Sequence, residues 1–156
     1  MLKINLIVLG DIKETYLKEA IKEYEKRISR FADLKIIELK ENNPASNNEK
    51  DIAIALKKDK VEILKCIKGY PICLDVKGSQ LSSTDFASKL SKTSLNYSEI
   101  SFIIGASNGI DEEVKAICKE RISFSKMTFP HQLMRVIFLE QLYRAFTINN
   151  NISYHK

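Results

Sequence analysis

The stretch Phe124–Phe146, "FSKMTFPHQLMRVIFLEQLYRAF", decides most about the fold. Its first six residues mix a serine, a lysine and a threonine with large apolar side chains. Pro130 then stands where a helix tolerates proline, in the first turn. From Leu133 onward apolar residues fall on nearly every side of the helix, which indicates burial on more than one side. We therefore predict a loop over 124–129 and a buried helix over 130–146.

Outward from this stretch, apolar strands alternate with amphipathic helices. The predicted strands are Lys3–Leu9, Leu34–Leu39, Ile72–Val76, Glu99–Ile104 and Ile122–Phe124. The predicted helices before the last one are Lys13–Arg27, Glu49–Ile67, a short helix opened by a capping box at Ser82 and Asp85, and Asp111–Glu120. The alternation predicts a single α/β domain over 1–156, with a mostly parallel sheet and helices on both faces.

The helical spacing also predicts which side chains face the core. On the first helix we expect an inner stripe of Ile12, Tyr16, Ala20, Tyr24 and Ile28. On the second helix we expect Ile52, Leu56, Ile63 and Leu64 inside.

In such sheets, ligands bind outside the carboxyl ends of the strands. Three loops lie there: Lys77–Leu81, Gly105–Gly109 and Phe124–Phe129. Neither of the two common phosphate-binding loops, G-x-G-x-x-G or G-K-[ST], is present, so a nucleotide-like ligand would be held by backbone groups of several loops. Gly105 suits that task because a residue without a Cβ lets a ligand approach the chain.

Composition narrows the class of protein. Apolar residues make up 44% and charged residues 29% of the chain, as in soluble globular proteins. No apolar run is long enough to span a membrane, and the N-terminal "MLKINLIVLGD" resembles a buried strand more than a signal peptide. Cys66, Cys73 and Cys118 form no C-x-x-C, which predicts free thiols, a cytoplasmic location and no metal site.

The net charge of +5 is compatible with a polyanionic partner such as RNA. The lysines are spread along the chain, however, and a lysine-rich genome would produce the same surplus. A non-enzymatic RNA- or ribosome-binding module therefore stays open as an alternative on charge alone.

A second alternative comes from Gly105-x-Ser107-x-Gly109, which follows a strand and precedes a helix as in the nucleophile elbow of serine hydrolases. Such an enzyme needs an acid and then a histidine downstream of the serine. Asp111 follows too closely, and the chain lacks the length for the usual hydrolase sheet. These features disfavour a hydrolase acting through Ser107, and a tight glycine turn is the simpler interpretation.

The charged residues of the last helix allow more than one role. Arg135 lies one turn after His131, and a structural interface role is as well supported for it as a role facing RNA or substrate. A structural role is the better supported one for His131. Glu140 and Arg144 are spaced to pair with each other. The apolar residues on all sides of this helix favour a homodimer, because one side can face the sheet and another a partner subunit.

At these residues the sequence resembles a known family, the ribosomal RNA large subunit methyltransferase H family of the SPOUT superfamily. The likeness is carried by "FIIGASNG", by "ISFSKMTFPHQLMRVIFLEQLYRAF" and by the terminal "YHK", and extends through "KINLIVLG", "EYEKRI" and "LDVKG". The resemblance implies a trefoil-knotted α/β fold, a rare exception among protein chains. It also implies a homodimer that binds S-adenosylmethionine in the knot and methylates N3 of a pseudouridine in 23S rRNA of the assembled ribosome.

The resemblance also implies roles for individual residues. The cofactor would be held by Leu74, Gly105, Phe124, Ser125, Lys126, Met127, Thr128 and Phe129. The catalytic residues would be Tyr154 and His155 of the tail, whose Tyr-His ending the family shares; the competing interpretation of the tail is a frayed terminus. The chemistry of the implied reaction, and not the resemblance, adds Arg135 as a cation near the developing negative charge. Ala106 departs from the family, whose members commonly carry a second glycine there, and its methyl group would narrow the cofactor slot.

Overall fold

The computed structural model describes residues 1–156, and strands alternate strictly with helices along the chain. The elements are β1 (Leu2–Leu9), α1 (Thr15–Ile28), β2 (Ala32–Leu39), α2 (Glu49–Cys66), β3 (Tyr70–Gln80), α3 (Ser83–Ser94), β4 (Glu99–Ile104), α4 (Glu112–Ile117), β5 (Glu120–Ser123) and α5 (His131–Asn149). The five strands form one parallel sheet in the order β2-β1-β4-β3-β5. The predicted α/β class and the parallel sheet are confirmed.

The central strands β1 and β4 are apolar on both faces because helices cover both faces of the sheet. Helices α1, α3 and α5 pack on one face, where 18 buried residues form the larger core cluster. Helices α2 and α4 cover the other face over a cluster of seven. No helix is both long and apolar enough to cross a lipid bilayer.

Local sequence signals set most helix starts. The capping box predicted for α3 is present: the Ser82 hydroxyl accepts from the Asp85 N–H at 3.0 Å, and the Asp85 carboxylate accepts from the Ser82 N–H at 3.3 Å. Asn48 caps α2 by accepting from the Asp51 N–H at 2.8 Å. Each cap satisfies a backbone donor that the first helical turn leaves free.

Strand β3 is longer and less regular than the predicted Ile72–Val76. Leu74 and Ser79 both pair with Ile122 of β5, so the four residues between them arch out of the sheet. Ser79 rejoins the ladder against β5. Gly78, the last residue of the arch, approaches β5 so closely that a Cβ on it would lie 2.7 Å from the carbonyl oxygen of Arg121. The "VKGS" segment is therefore part of an interrupted strand that closes on β5, and not a free exit loop.

Three predicted inner or helical positions are wrong. Tyr16 is 69% exposed, and its neighbour Leu17 is buried in its place. Leu64 is 42% exposed, because α2 turns Ala55, Asp59 and Ile63 inward. The fourth helix is also shorter than predicted, since Cys118 is already extended and leads directly into β5.

Helix α5 owes much of its all-round apolar character to its own chain. It lies on the sheet between α1 and α3 and packs against both, which buries Phe138, Leu142 and Phe146. What remains open is an outer edge that includes Leu133, which is 38% exposed, and the half-buried Ile137. Only this outer edge of α5, and not the whole helix, is left as apolar surface for a partner subunit.

Candidate cofactor site and C-terminal tail

A cavity of about 630 Å³ opens at the carboxyl ends of β3, β4 and β5. Its walls come from Leu74–Val76, from the turn Gly105–Gly109 and from the segment after β5. Two of the three predicted strand-end loops, Gly105–Gly109 and Phe124–Phe129, therefore contribute to the lining, whereas Lys77–Leu81 contributes no residue and the segment just before it takes its place. Half of the 20 lining residues are hydrophobic. A cavity of this size with apolar walls and many backbone groups suits a ligand the size of a nucleoside conjugate.

Most of the predicted cofactor residues line this cavity. Leu74, Gly105, Phe124, Ser125, Met127, Thr128 and Phe129 do so. Lys126 is exposed and does not belong to the lining. The sequence does not predict Asp75 and Lys115 on one wall or Met134 on another, since no local pattern places these three side chains together.

The loop after β5 is held by short-range hydrogen bonds. The Ser125 hydroxyl accepts from the Met127 N–H at 2.9 Å, and the Ser123 hydroxyl donates to the Ser125 carbonyl at 3.0 Å. Phe124 anchors the loop by packing against Phe86 and Phe138 of the core. These bonds leave Met127 largely exposed at the mouth of the cavity.

Gly105 is required by the turn it belongs to. A Cβ at this position would lie 2.5 Å from the carbonyl oxygen of Gly109, because the Gly109 N–H bonds back to the Ala106 carbonyl at 2.9 Å. A glycine is therefore needed at position 105 because two backbone segments approach each other at the cavity wall. This differs from the expectation that its missing Cβ makes room for a ligand.

Asp75 and Lys115 form a half-buried ion pair at 3.3 Å in the cavity wall. Burial opposes ionisation of the Asp75 carboxyl, but the N–H of Lys77 and the ammonium of Lys115 outweigh it, so the pKa of Asp75 lies below its ordinary value. The cavity therefore carries an ionised carboxylate at neutral pH.

Ser107 lies exposed at the tip of the β4–α4 turn and also lines the cavity. Its hydroxyl makes no hydrogen bond to a histidine or a carboxylate. A serine nucleophile needs an adjacent base that is itself oriented by a third group, and neither is present. The geometry therefore does not support the hydrolase alternative.

Arg135 is 2% exposed and lies away from the cavity lining. Its guanidinium donates to the carbonyls of Leu9 and Gly10 at 2.8 and 2.6 Å and pairs with Glu38 at 2.9 Å. These bonds tie α5 to the ends of β1 and β2, and the structural role accounts for all of them. Only the Arg135 Nε lacks a partner.

His131 begins α5 and is half-buried between two cavities. It lines the large cavity and also a second one of about 580 Å³ beside Gly10 and Glu41. At this boundary the His131 ring makes no hydrogen bond to a group that could serve as its catalytic partner.

The C-terminal tail folds back onto α5 instead of fraying. The Tyr154 hydroxyl donates to Glu140 at 2.9 Å, and its ring packs against Tyr143 with centroids 4.9 Å apart. The Arg144 guanidinium lies 4.7 Å from the Tyr154 ring centroid and bonds the Nδ1 of His155 at 3.2 Å.

The expected Glu140–Arg144 pair is present, at 2.7 Å, and holds both tail residues. The i, i+4 spacing predicts only that these two side chains contact each other on the helix. Their second role, which is to bind Tyr154 and His155, follows from a proximity that exists only in the folded chain.

In one chain, however, the tail and the cavity are apart. Glu140 and Arg144 lie six and ten residues beyond Met134, the last helical residue of the cavity, which is roughly 9 to 15 Å along the axis. No tail residue lines the cavity.

Comparison with known proteins identifies what the chain is similar to. Residues 2–155 match a family model described as "Predicted SPOUT methyltransferase". A protein of Caldicellulosiruptor saccharolyticus described as ribosomal RNA large subunit methyltransferase H is 46% identical over 155 residues, covering 98% of this chain and 99% of that protein. The protein of the same description from Fusobacterium nucleatum is 44% identical over 159 residues, covering 99% and 100%.

Among solved structures, a probable methylase family protein from Haemophilus influenzae superposes with a TM-score of 0.56 at 13% identity. The match covers 98% of this chain and 70% of that one. At this identity the likeness concerns the fold alone.

Proposed function

The chain belongs to the SPOUT methyltransferase family, and from this premise we propose that it methylates N3 of a pseudouridine in 23S rRNA of the assembled ribosome. Its relatives are described as methyltransferases of large-subunit ribosomal RNA, and this enzyme is an S-adenosylmethionine-dependent methyltransferase of the same kind. The observation that carries the proposal is the cavity built by the ends of β3, β4 and β5. Because its proposed substrate is the ribosome, we propose a cytoplasmic location for the enzyme.

The residues of this cavity fit S-adenosylmethionine. The cofactor would supply a methyl group activated by a sulfonium, and the Asp75–Lys115 ion pair leaves this wall without a net positive charge that would repel it. Ile104, Ile110 and Phe129 offer apolar surface for an aromatic base, and Leu74, Gly105 and Met127 would hold it with their backbone groups.

Methyl transfer of this kind is an in-line displacement, so the protein must mainly align the two reactants and exclude water. The N3 of pseudouridine is an imide nitrogen and becomes nucleophilic when it loses its proton. A group within hydrogen-bond reach that takes this proton would lower the barrier.

Tyr154 and His155 are the residues of the tail that we propose to act on the RNA base. Burial, followed by the bond to Glu140, raises the pKa of Tyr154, so the phenol stays protonated at neutral pH and acts as a donor or a stacking surface. Arginine has only donors, so the Nδ1 of His155 accepts from Arg144 and the ring proton lies on Nε2. To accept the N3 proton, His155 would therefore have to leave Arg144 or exchange tautomers.

We propose a homodimer as the functional unit, because one chain holds the cavity and the tail at separate places along α5. The open edge of α5 at Leu133 and Ile137, beside the exposed Met127 and Phe129, offers apolar surface for a second copy. A partner packed there would bring its own tail toward this cavity.

The test combines cofactor titration with methyl transfer from isotope-labelled S-adenosylmethionine. Four substrates are compared: assembled ribosomes, isolated 50S subunits, free 23S rRNA, and ribosomes from cells that lack the pseudouridine synthase for the target site. Modified nucleosides are identified by mass spectrometry. We expect binding of the cofactor and formation of N3-methylpseudouridine on assembled ribosomes only.

Each other outcome has a definite meaning. No heat of cofactor binding would leave the non-enzymatic RNA-binding module as the answer. Methylation of free rRNA, or of ribosomes that carry uridine at the target, would refute the proposed substrate while keeping the methyltransferase.

A further inference from the structure

A polar cleft of about 530 Å³ lies on the α2 side of the sheet, toward the edge opposite the cofactor cavity. It is bordered by the first halves of β1 and β2, by the first residue of β4 and by the end of α2. The eight residues of β1 separate the amino ends of the strands from their carboxyl ends by roughly 25 Å. The cleft is therefore a separate feature from the methyl-transfer site.

Four lysines from separate segments of the fold converge on this cleft. Lys3 comes from β1, Lys35 from β2, Lys65 from α2 and Lys68 from the connection to β3; we call this group the lysine cleft. Only Lys65 has an ion-pair partner, Glu62, at 3.1 Å between two exposed side chains. No carboxylate lies within 4.0 Å of the ammonium groups of the other three.

The two acidic residues of the lining do not cancel this charge. Four lysines against Asp33 and Glu99 leave a formal charge of +2 on the lining, or +1 when Glu62, the partner of Lys65, is counted as well. The Glu99 carboxylate is also engaged, since it accepts from the amide of the buried Asn5 at 2.8 Å.

Positive charge is not a general property of this surface. The second cavity, beside His131, is lined by Asp11, Glu14, Glu38 and Glu41 against Lys13 and Lys40, which gives a formal charge of −2. Charge is therefore unevenly distributed over the surface, positive at this cleft and negative at the second cavity.

The helix macrodipole explains only part of the lysine cleft. Lys65 and Lys68 lie near the C-terminal end of α2, where cations offset the negative end of the helix. Lys3 and Lys35 are on strands, where the helix dipole does not act; Lys3 lies directly opposite Asp33 in the ladder, which is a favourable cross-strand neighbour, but their charged groups are more than 4.0 Å apart. Lys35 is the diagonal neighbour of Lys3 on the same face, an arrangement that carries a cost of like charges.

We propose that the lysine cleft binds the phosphate backbone of ribosomal RNA at a point remote from the methylated base. This inference rests on the proposed function and adds to it a second contact with the same substrate. Unpaired ammonium groups held on separate rigid elements match a row of phosphates, which bind by charge and without base specificity. The contact orients the enzyme on its substrate and takes no part in the chemical step.

The test compares two triple variants of equal charge. One is Lys3→Gln, Lys35→Gln, Lys68→Gln; the control is Lys18→Gln, Lys22→Gln, Lys92→Gln, three exposed lysines without ion pairs and outside the cleft. Binding to ribosomes is measured over a series of salt concentrations, alongside methyl-transfer kinetics and cofactor affinity. Because all six side chains are exposed, both variants are expected to fold, which circular dichroism checks.

For the cleft variant we expect the slope of log Kd against log salt to fall by about 2, and affinity at low salt to fall about tenfold or more. The KM for ribosomes rises in parallel, while kcat and cofactor affinity stay those of the parent. The control keeps most of the slope and affinity.

Equal losses of slope and affinity in both variants, or none in either, would overturn the lysine cleft as a specific contact. Binding is read without methyl transfer, so the two proposals fail separately. An absence of methylation by the parent enzyme would refute the proposed function, whereas a binding slope insensitive to the cleft would refute this inference alone.

Discussion

At the scale of single residues, Arg135 shows how one side chain can serve structure at the border of a functional region. Its guanidinium joins α5 to β1 and β2 through two backbone carbonyls and Glu38. Such a group is costly to bury and costly to remove, because removal leaves its acceptors unpaired.

We predict that Arg135→Ala lowers the free energy of unfolding by about 3 kcal/mol, since the buried Leu9 carbonyl and the partly buried Gly10 carbonyl lose their donor. Urea denaturation of the variant measures the change, with Arg30→Ala, an exposed arginine, as the control. Unchanged stability together with a loss of methyl transfer would restore Arg135 as a candidate for the reaction itself.

Gly105 makes a second prediction at this scale. Gly105→Ala would place a methyl group 2.5 Å from the Gly109 carbonyl, so the turn must shift and cofactor affinity should fall at least about tenfold. Isothermal titration with S-adenosylmethionine measures this. Ala106→Gly is the companion variant, and we expect it to bind the cofactor as well as or better than the parent; a tighter complex for Gly105→Ala would contradict the role of the turn.

At the scale of elements, the tail and α5 act as one unit. Tyr154 and His155 are fixed by Glu140 and Arg144, two residues one turn apart on α5. A tail held in this way has lost most of its conformational freedom before substrate arrives, which lowers the entropic cost of using it.

We predict that deletion of Tyr154–Lys156 abolishes methyl transfer to ribosomes and leaves cofactor binding and folding intact, because the tail lies outside both the cavity and the main core. Cofactor titration, thermal unfolding and a methyl-transfer assay are the measurements. Deletion of Lys156 alone is the control and should keep activity. Normal turnover without the three residues would remove the tail from the mechanism.

At the scale of the whole molecule, the separation between cavity and tail supports the homodimer that we propose. A symmetric dimer contains two cavities and two tails. If each site takes its cavity from one chain and its tail from the other, two defective proteins can restore one site.

We predict that Gly105→Ala protein, which is only weakly active at a cofactor concentration near the Kd of the parent enzyme, and the inactive tail-deleted protein together give more activity after co-refolding in equal amounts than the sum of the two alone. Random pairing gives half mixed dimers with one intact site each, or about a quarter of the activity of the parent enzyme. Size-exclusion chromatography with light scattering verifies the dimer. A well-folded monomer, or a mixture no more active than that sum, would show that the site is not shared.

Much of the architecture could be predicted because it is written in local patterns. The apolar runs at Lys3–Leu9 and Glu99–Ile104 are buried only if they form strands that are covered on both faces. The capping box of Ser82 and Asp85 starts a helix through hydrogen bonds between residues three positions apart. Tyr16 and Leu64 were predicted to be buried but are exposed. An apolar stripe on a helix does not show which side of the stripe packs against the sheet.

The strand-end loops were also within reach of the sequence, since a parallel sheet gathers them at one edge. The sequence by itself thus determined the parallel sheet, two of the loops that line the cavity and the family. The third predicted loop, Lys77–Leu81, belongs instead to the interrupted strand β3 and supplies no residue to the lining. Tertiary structure alone decided that Arg135 is a tie between elements, that Asp75 meets Lys115, and that four distant lysines share one cleft. The reason is that bond lengths and backbone preferences act between neighbours in the chain, whereas charge, burial and hydrogen bonding act between neighbours in space.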